Sequence, residues 1–393
     1  STTAAAAVPT TVPLPRPTPS TAPPHRMTTS TTARSTTTTT VHGVSAPCST
    51  SSGWPGPLPP KPTNGAGWEG RTTTGQMWDI WGFDPAPPSP AQPGVFVVGA
   101  DGSHLRRLSD SLGDLVWSPD GCWIAENEAS LHLISPQTGQ NILVASEGMT
   151  SGMPAWSPDS TRLAVTVDPD YMVPGDSDVA IFPIDGSGPP VSVKLPGDQF
   201  DEAWLPDGRI VILDGGGLWV VRPDGTVIRR VTTGPLTWGR VLASPDAQTV
   251  AIIQWAKDGV SNDHVVLIDI GREQVTPRPI CGEAGILRVR KPSWSPAGDR
   301  LICPVSVEGR AGAIIAQADG SPTSLLDGSI TWPLWSLGSD RIVGVDDLTG
   351  RSQDLVTLSP DGTGRRTVLS ASGHPLSEPL WSATGIEILF RVG

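Results

Sequence analysis

The sequence has no run of 18 or more apolar residues, so we expect no helix that spans a membrane. A signal peptide is also missing, and because the chain begins at Ser rather than Met we expect that a leader has already been removed. None of the four cysteines forms a C-x-x-C pair, which argues against structural zinc. Cys281 and Cys303 are the first pair to test for a disulfide, with free buried thiols as the equal alternative.

Motifs for catalysis and for cofactors are absent as well. No G-x-S-x-G elbow, HExxH, P-loop or dinucleotide fingerprint occurs, and the six histidines are scattered along the chain. We therefore expect a protein that is not an enzyme and that binds no cofactor.

Acidic residues are missing from residues 1–68, which contain four basic residues. The rest of the chain then carries 23 basic against 39 acidic residues, a net charge of −16 that would repel a phosphate backbone, so we expect no nucleic-acid partner.

Residues 1–66 consist mostly of Thr, Ser, Pro, Ala and Gly and have too few apolar side chains to fold, so we predict a disordered stalk. Such a stalk is typical of exported proteins, and we expect an extracytoplasmic location.

What the sequence does contain is a repeat. The stretch VWSPDG at residues 116–121 returns six times in degenerate form. We call the residue at the position of Trp117 the anchor, and the seven anchors are Trp117, Trp156, Trp204, Ala243, Trp294, Trp335 and Trp381. Their spacings average 44 residues, which is the length of one four-stranded propeller blade. The anchors should supply apolar area between blades, and Ser-Pro-Asp-Gly should form a type I turn.

A second hairpin, usually built around Asp-Gly, follows each of the first six anchors. One such hairpin, residues 95–108, precedes the first anchor, and one strand follows the last. Each end of the chain therefore holds part of a blade. The sequence predicts an all-β, seven-bladed β-propeller over residues 95–393, closed by pairing of the N-terminal hairpin with the C-terminal strands, behind a Trp-rich lead-in at residues 67–94.

The sequence pattern WSPDG…(I/V)xVxxxDGxxxRxLT resembles the TolB-like, PD-type propeller repeats of exported bacterial proteins. Its best matches are VFVVGADGSHLRRLS, VWSPDGCWIA and LWVVRPDGTVIRRVT. The resemblance implies the fold, whereas function varies widely on this fold. TolB has six blades and an N-terminal α/β domain, so its lipoprotein partner is not carried over to this chain.

Antiparallel blades place both tight turns on one face of the propeller and the longer loops on the other, which we call the loop-rich face. We expect this face to bind a protein or a cell-envelope glycan, on a propeller that is a monomer. The candidate residues are Asp114, Asp201, Glu202, Trp238, Arg240, Arg288, Arg290, Trp332, His374 and Glu378.

Several alternatives remain at this point. The loops of that face could be ordinary solvated loops, the propeller could have lost its function or act as a scaffold in a larger complex, or it could be a lyase or hydrolase acting on polysaccharide at the channel mouth with His264 and His374. Asp168, Asp170, Asp176 and Asp178 offer enough oxygens for Ca²⁺, but solvated acids are the interpretation that we favour.

Overall fold

The computed structural model describes residues 92–393 with short gaps. The gaps are 111–112, 129, 147–149, 169–176, 215–216, 233–238, 255–263, 274, 282–285, 290–291, 308–309, 320, 322–323, 327–328, 337–340, 347–351 and 373. The predicted stalk and nearly all of the predicted lead-in lie outside the described residues. In the part described, no helix is long and apolar enough to cross a membrane.

The described chain forms seven antiparallel sheets, the seven blades of the predicted propeller. The first two strands, β1 (Gly94–Gly99) and β2 (Arg106–Ser109), belong to the last blade. Blade 1 is β3 (Asp114–Trp117), β4 (Ile124–Asn127), β5 (Leu131–Ile134) and β6 (Asn141–Ala145). Blade 2 is β7 (Thr150–Trp156), β8 (Arg162–Val167), β9 (Asp178–Pro183) and β10 (Val191–Val193). Blade 3 is β11 (Asp201–Trp204), β12 (Ile210–Leu213), β13 (Gly217–Val221) and β14 (Val227–Thr232).

The strands of blades 4 to 6 also lie side by side in chain order. In blade 5 the first strand is divided into two, β19 and β20, which both pair with β21. Blade 4 is β15 (Val241–Ala243), β16 (Thr249–Gln254), β17 (His264–Asp269) and β18 (Arg278–Pro279). Blade 5 is β19 (Ile286–Val289), β20 (Ser293–Trp294), β21 (Arg300–Val307), β22 (Arg310–Gln317) and β23 (Ser324–Leu326). Blade 6 is β24 (Ile330–Trp335), β25 (Ile342–Asp346), β26 (Ser352–Leu358) and β27 (Arg366–Ser372). Blade 7 is β28 (Leu376–Trp381) and β29 (Glu387–Val392) with β1 and β2.

Blade 7 closes the ring as the sequence predicts. β1 pairs with β29 in an unbroken antiparallel register from Gly94↔Val392 to Gly99↔Glu387. The Phe96 and Phe390 rings stack at a centroid distance of 5.8 Å, and an Arg106–Glu387 ion pair of 2.8 Å joins β2 to β29. The two ends of the propeller therefore share one sheet, in which β1 and β29 each have a neighbouring strand on both sides.

The anchors lie at the contacts between blades. Hydrophobic clusters of described residues span each pair of neighbouring blades around the ring, and each cluster contains the anchor of its later blade. Trp335, for example, is 2% exposed between blades 5 and 6, whereas the smaller Ala243 serves between blades 3 and 4. The scaffold role predicted for the anchors is confirmed.

The serine after the anchor has a separate, local role. In five blades its buried hydroxyl accepts a hydrogen bond from the backbone N–H five residues later, at 2.9 to 3.1 Å. The serines that do so are Ser118, Ser157, Ser244, Ser295 and Ser382. In four of the turns the serine hydroxyl donates a hydrogen bond to an aspartate carboxylate. The turn closes without leaving this hydroxyl unpaired in the interior.

Cys281 and Cys303 form a disulfide, which settles the alternative between a bond and free thiols. Cys281 follows β18 at the outer edge of blade 4, and Cys303 lies in β21 of blade 5. The bond therefore crosslinks neighbouring blades inside their shared hydrophobic cluster. A crosslink closing a loop of this length contributes roughly 3 kcal/mol to the free energy of unfolding.

Replacing Phe390 by Ala tests the closure. Because this side chain is 1% exposed and stacks on Phe96, we expect a loss of about 3–5 kcal/mol in the free energy of unfolding, measured by urea denaturation. The control Val227→Ala removes a side chain that is 42% exposed on an outer strand and should change it by less than about 0.5 kcal/mol. Equal urea midpoints for the two variants would show that closure adds no stability.

Candidate functional site

One position of the repeat places side chains at the centre of the loop-rich face. It is the residue three before each anchor, and where it is described it lies in or directly before the first strand of the blade. We call these seven the ring residues, and they are Asp114, Met153, Asp201, Arg240, Lys291, Trp332 and Glu378. Lys291 lies outside the described residues.

Five ring residues line a single cavity of about 150 Å³, which we call the mouth cavity. They are Asp114, Met153, Arg240, Trp332 and Glu378. Apolar residues complete the lining, namely Leu115, Pro333, Leu334, Pro379 and Leu380. Because these residues come from blades 1, 2, 4, 6 and 7, the cavity exists only when the ring is closed.

An ion pair crosses the mouth cavity. Arg240 Nη2 lies 3.4 Å from Asp114 Oδ2, although the two residues belong to blades 4 and 1, on opposite sides of the ring. Both side chains are partly exposed, so the pair contributes little to stability. Four residues predicted from the sequence, Asp114, Arg240, Trp332 and Glu378, are thus brought together in one cavity.

Asp201 and Glu202 differ from the prediction, which placed them on the exposed face. They are 9% and 5% exposed and join blades instead of facing solvent. Asp201 Oδ2 accepts the Val241 N–H at 2.6 Å, and Glu202 Oε2 accepts the Thr166 hydroxyl at 2.8 Å. The carboxylates at the start of β11 therefore tie blade 3 to blades 4 and 2.

The environment of Glu202 favours its protonated form. Burial raises the pKa of Glu202 to about 8, and the neighbouring charge of Asp201 adds to the rise. The hydrogen bond from Thr166 and the charge of Arg240 act in the opposite direction on this pKa but are weaker. Glu202 is consequently mostly uncharged at neutral pH.

The other predicted residues contribute less to this site. His374 is half-buried near the C-terminus, with Nδ1 3.2 Å from the Gly393 carbonyl oxygen, and it does not line the mouth cavity. Trp238 and Arg290 lie outside the described residues, as does the side chain of Arg288. His264 is placed at the start of β17, but its side chain is also outside the description.

The calcium alternative can be followed only in part. Asp170 and Asp176 lie outside the described residues. Asp178 forms an ion pair with Lys194 and accepts a 3.0 Å hydrogen bond from Gln199 Nε2. Within the described ranges, no three His, Cys, Asp or Glu side chains are grouped closely enough to hold a metal ion.

Two ring residues have an unusual backbone. Trp332 and Glu378 have φ values of 51° and 50°, a left-handed conformation that is unfavourable for side chains of this size, and each precedes a proline. Each lies in a β-bulge, where two residues face one residue of the next strand. Such strain often clusters at functional sites, although His104, Ser160 and Ala247 adopt the same conformation outside the mouth cavity. Opposite Trp332, a Cβ on Gly344 would overlap Ile330 Cγ2, so glycine makes room for the bulge.

Sequence reasoning missed Met153 and the apolar lining residues. Met153 could have been predicted from the sequence, because it lies three residues before its anchor, as the other ring residues do. The bulges were not predicted, although Trp-Pro-Leu-Trp at residues 332–335 and Glu-Pro-Leu-Trp at residues 378–381 are near-copies of each other and differ in the ring residue alone.

No protein-family model matches the chain, and no curated protein sequence matches it. Solved structures similar to it include a putative TolB from Agrobacterium tumefaciens, 18% identical over 77% of this chain and 98% of that chain, with a TM-score of 0.49. Prolyl oligopeptidase B from Galerina marginata is 11% identical over 70% of this chain and 45% of that chain, with a TM-score of 0.50. Oligogalacturonate lyase in complex with manganese is 11% identical over 73% and 79%, with a TM-score of 0.47.

These similarities concern the fold alone. The seven-bladed propeller predicted from the repeat is confirmed, because the described chain forms seven antiparallel blades. Proteins of very different function share one fold. The fold therefore does not choose between binding and catalysis.

The state of Glu202 gives a pH prediction. Its pKa in the folded protein lies above the ordinary value of 4.5, so its contribution to stability is complete below that value and is lost as the pH rises through about 8. We expect the free energy of unfolding to fall between pH 5 and pH 9 with a slope of at most about 1.4 kcal/mol per pH unit. Glu202→Gln should flatten this slope, measured by urea denaturation across the pH range.

The matched control is Asp224→Asn in an exposed turn. The backbone hydrogen bond from Thr226 lowers the pKa of Asp224 below its ordinary value of 3.8, so this variant should keep the slope of the unmodified protein between pH 5 and pH 9. A slope that survives in Glu202→Gln would assign the pH dependence to another group.

Proposed function

We propose that this protein is a non-enzymatic, extracytoplasmic binding module that recognises a protein partner or a cell-envelope glycan through the mouth cavity. One observation carries the proposal. The ring residues around the cavity differ from blade to blade, whereas the residues that build the blades repeat.

Comparing the residues at one repeat position in all blades distinguishes side chains that the scaffold needs from side chains that it does not need. A side chain that the scaffold needs returns at its position, as the serine of the turn and the anchor Trp do. The five ring residues that line the cavity are instead acidic, thioether, basic, aromatic and acidic in turn. The scaffold does not dictate these identities. Variable side chains at one place on a rigid scaffold are typical of binding sites.

The composition of the cavity lining also supports binding. Apolar side chains from three blades surround a few polar groups, which is the usual make-up of a recognition site. The Arg240–Asp114 pair fixes two of these polar groups across the cavity. A partner that enters the mouth would contact several blades at once.

The extracytoplasmic part of the proposal is supported by the disulfide between Cys281 and Cys303. Disulfides of this kind form and persist in oxidising compartments and are rare in the cytosol. The Thr- and Pro-rich composition of residues 1–66 agrees with export.

An enzymatic alternative has one observation in its favour, which is the raised pKa of Glu202 beside Asp201. Perturbed carboxyl groups are common at catalytic sites, and a lyase or hydrolase acting on polysaccharide would use such a group as a general acid. Both carboxyl groups, however, hold hydrogen bonds between blades. We therefore favour binding.

The proposal predicts that filling the mouth cavity abolishes partner capture. The full chain and its Met153→Arg variant would be immobilised and exposed to a cell-envelope extract, and captured components would be quantified by mass spectrometry and glycan analysis. We expect Met153→Arg to reduce capture of the specific component by at least about tenfold, because the longer charged side chain occupies the cavity.

Thr226→Arg is the control, since it adds the same charge at an exposed turn outside the mouth cavity and should leave capture unchanged. Treating the extract with protease distinguishes a protein partner from a glycan. Equal capture by both variants would place the binding surface elsewhere or remove the proposed function altogether.

A further inference from the structure

Cys122 differs in position from the other two cysteines of the described chain. It follows the Ser-Pro-Asp-Gly turn between β3 and β4, and its side chain is partly exposed. Cys281 and Cys303 are buried and are bonded to each other. Cys122 is disulfide-bonded as well, and no cysteine in the described part of the chain has a free thiol. The bonding partner of Cys122 is therefore neither Cys281 nor Cys303.

The sequence contains one further cysteine, Cys48, which lies outside the described residues. We propose that Cys48 is the partner of Cys122, and that their disulfide fixes the N-terminal segment to the turn of blade 1. The proposal goes beyond the binding function of the mouth cavity and does not depend on it.

The turn presents Cys122 to an incoming thiol in a fixed position. Asp120 Oδ1 accepts hydrogen bonds from the Ser118 hydroxyl at 2.5 Å and from the Cys122 N–H at 2.9 Å. The Asp120 N–H donates to Ser160 Oγ of blade 2 at 2.9 Å. Because the turn is held from within and by a neighbouring blade, its backbone has little freedom to lose when the bond forms.

The length of the chain lets Cys48 reach this turn. Residues 49–92 join Cys48 to Pro93, which directly precedes β1. A random coil of this length has an end-to-end distance of roughly 35–40 Å. The six residues of β1 span roughly 20 Å between the two faces of the propeller. Two thiols in one chain at this separation meet at an effective concentration on the order of millimolar, which favours their bond over one between two separate copies.

The two bonded positions belong to different faces of the propeller. We call the face that carries the tight turns the turn face, and it lies opposite the loop-rich face. β1 begins at the loop-rich face, since Gly94 pairs with Val392, and Val392 pairs with Leu376, two residues before Glu378 of the mouth cavity. The described chain therefore starts on the same face as the mouth cavity.

Cys122 lies on the turn face. β3 begins at Asp114 in the mouth cavity and ends at Trp117, and Cys122 is in the turn that follows. With Cys48 bonded there, the chain that precedes Cys48 leaves the propeller from the turn face. Without the bond, the whole N-terminal segment leaves from the loop-rich face, where it competes with a partner for space. The disulfide therefore directs the mouth cavity away from whatever the stalk is joined to.

Formation of the bond is an oxidation of two thiols. One sulfur–sulfur bond forms, two S–H bonds break, and the two protons and two electrons pass to the disulfide of a thiol–disulfide oxidoreductase, which is reduced to its dithiol. The same reaction accounts for the bond between Cys281 and Cys303. Both bonds require an oxidising compartment such as the one proposed above.

Peptide mapping tests the pairing. The full chain would be produced by secretion into an oxidising compartment, treated with N-ethylmaleimide to block free thiols, and digested without reduction. Mass spectrometry should find the Cys48 and Cys122 peptides joined in one species that separates on reduction. Cys122 joined to Cys122 of a second copy, or Cys122 carrying maleimide, would overturn the proposal.

Distance measurements test the face from which the stalk leaves. Nitroxides would be attached to keto amino acids in place of Ala46 and of Thr226, which is exposed on the turn face, and measured by double electron–electron resonance. We expect a narrow distance distribution in the unmodified protein. In Cys48→Ser/Cys122→Ser the distribution should be at least about twice as broad, because residue 46 is then joined to the propeller only through Pro93.

Ser49→Ala is the matched control, since it changes the neighbouring residue, keeps both cysteines and should keep the narrow distribution. Equal widths in the unmodified protein and in Cys48→Ser/Cys122→Ser would overturn the inference. Partner capture is measured separately with Met153→Arg, so this inference and the proposed function can fail independently of each other.

Discussion

The antiparallel ladder between β1 and β29 is the contact on which the other features depend. It joins strands that lie about 290 residues apart in the chain, and it turns a row of blades into a ring. Each blade buries its apolar faces against two neighbours, so an open row would leave two such faces in water. The mouth cavity depends on the same ladder, because its lining residues come from both ends of the propeller and from blades between them.

Structure and recognition are assigned to different positions of one repeat. The anchors and the serines that follow them lie inside the scaffold, where they pack between blades or complete a turn. Three residues before the anchors, the side chains that line the mouth cavity differ in charge and in size. Trp332 and Glu378 also adopt a backbone conformation that costs stability. The closed ring, with its interblade clusters, holds these strained residues in place.

Much of the fold could be predicted from the sequence, because each cue is local. Ser-Pro-Asp-Gly and Asp-Gly specify turns, and their order along the chain gave the number of blades and the shared last blade. The site was predicted less well. Asp201 and Glu202 were expected on the loop-rich face because they belong to the acidic segment GDQFDEA, yet they are buried and hydrogen-bond to two neighbouring blades. Partners so distant in the chain leave no local trace in the sequence. The bulges at Trp332 and Glu378 likewise depend on the room left by the opposite strand.

Hydrogen–deuterium exchange of the full chain tests the central claim, closure of the ring through the β1–β29 ladder, most directly. The account predicts that the backbone amides of Val95–Val98 and Ile388–Phe390 exchange as slowly as those of the paired middle strands of blade 3, β12 and β13. Fast exchange confined to β1 and β29, with slow exchange in β12 and β13, would contradict it.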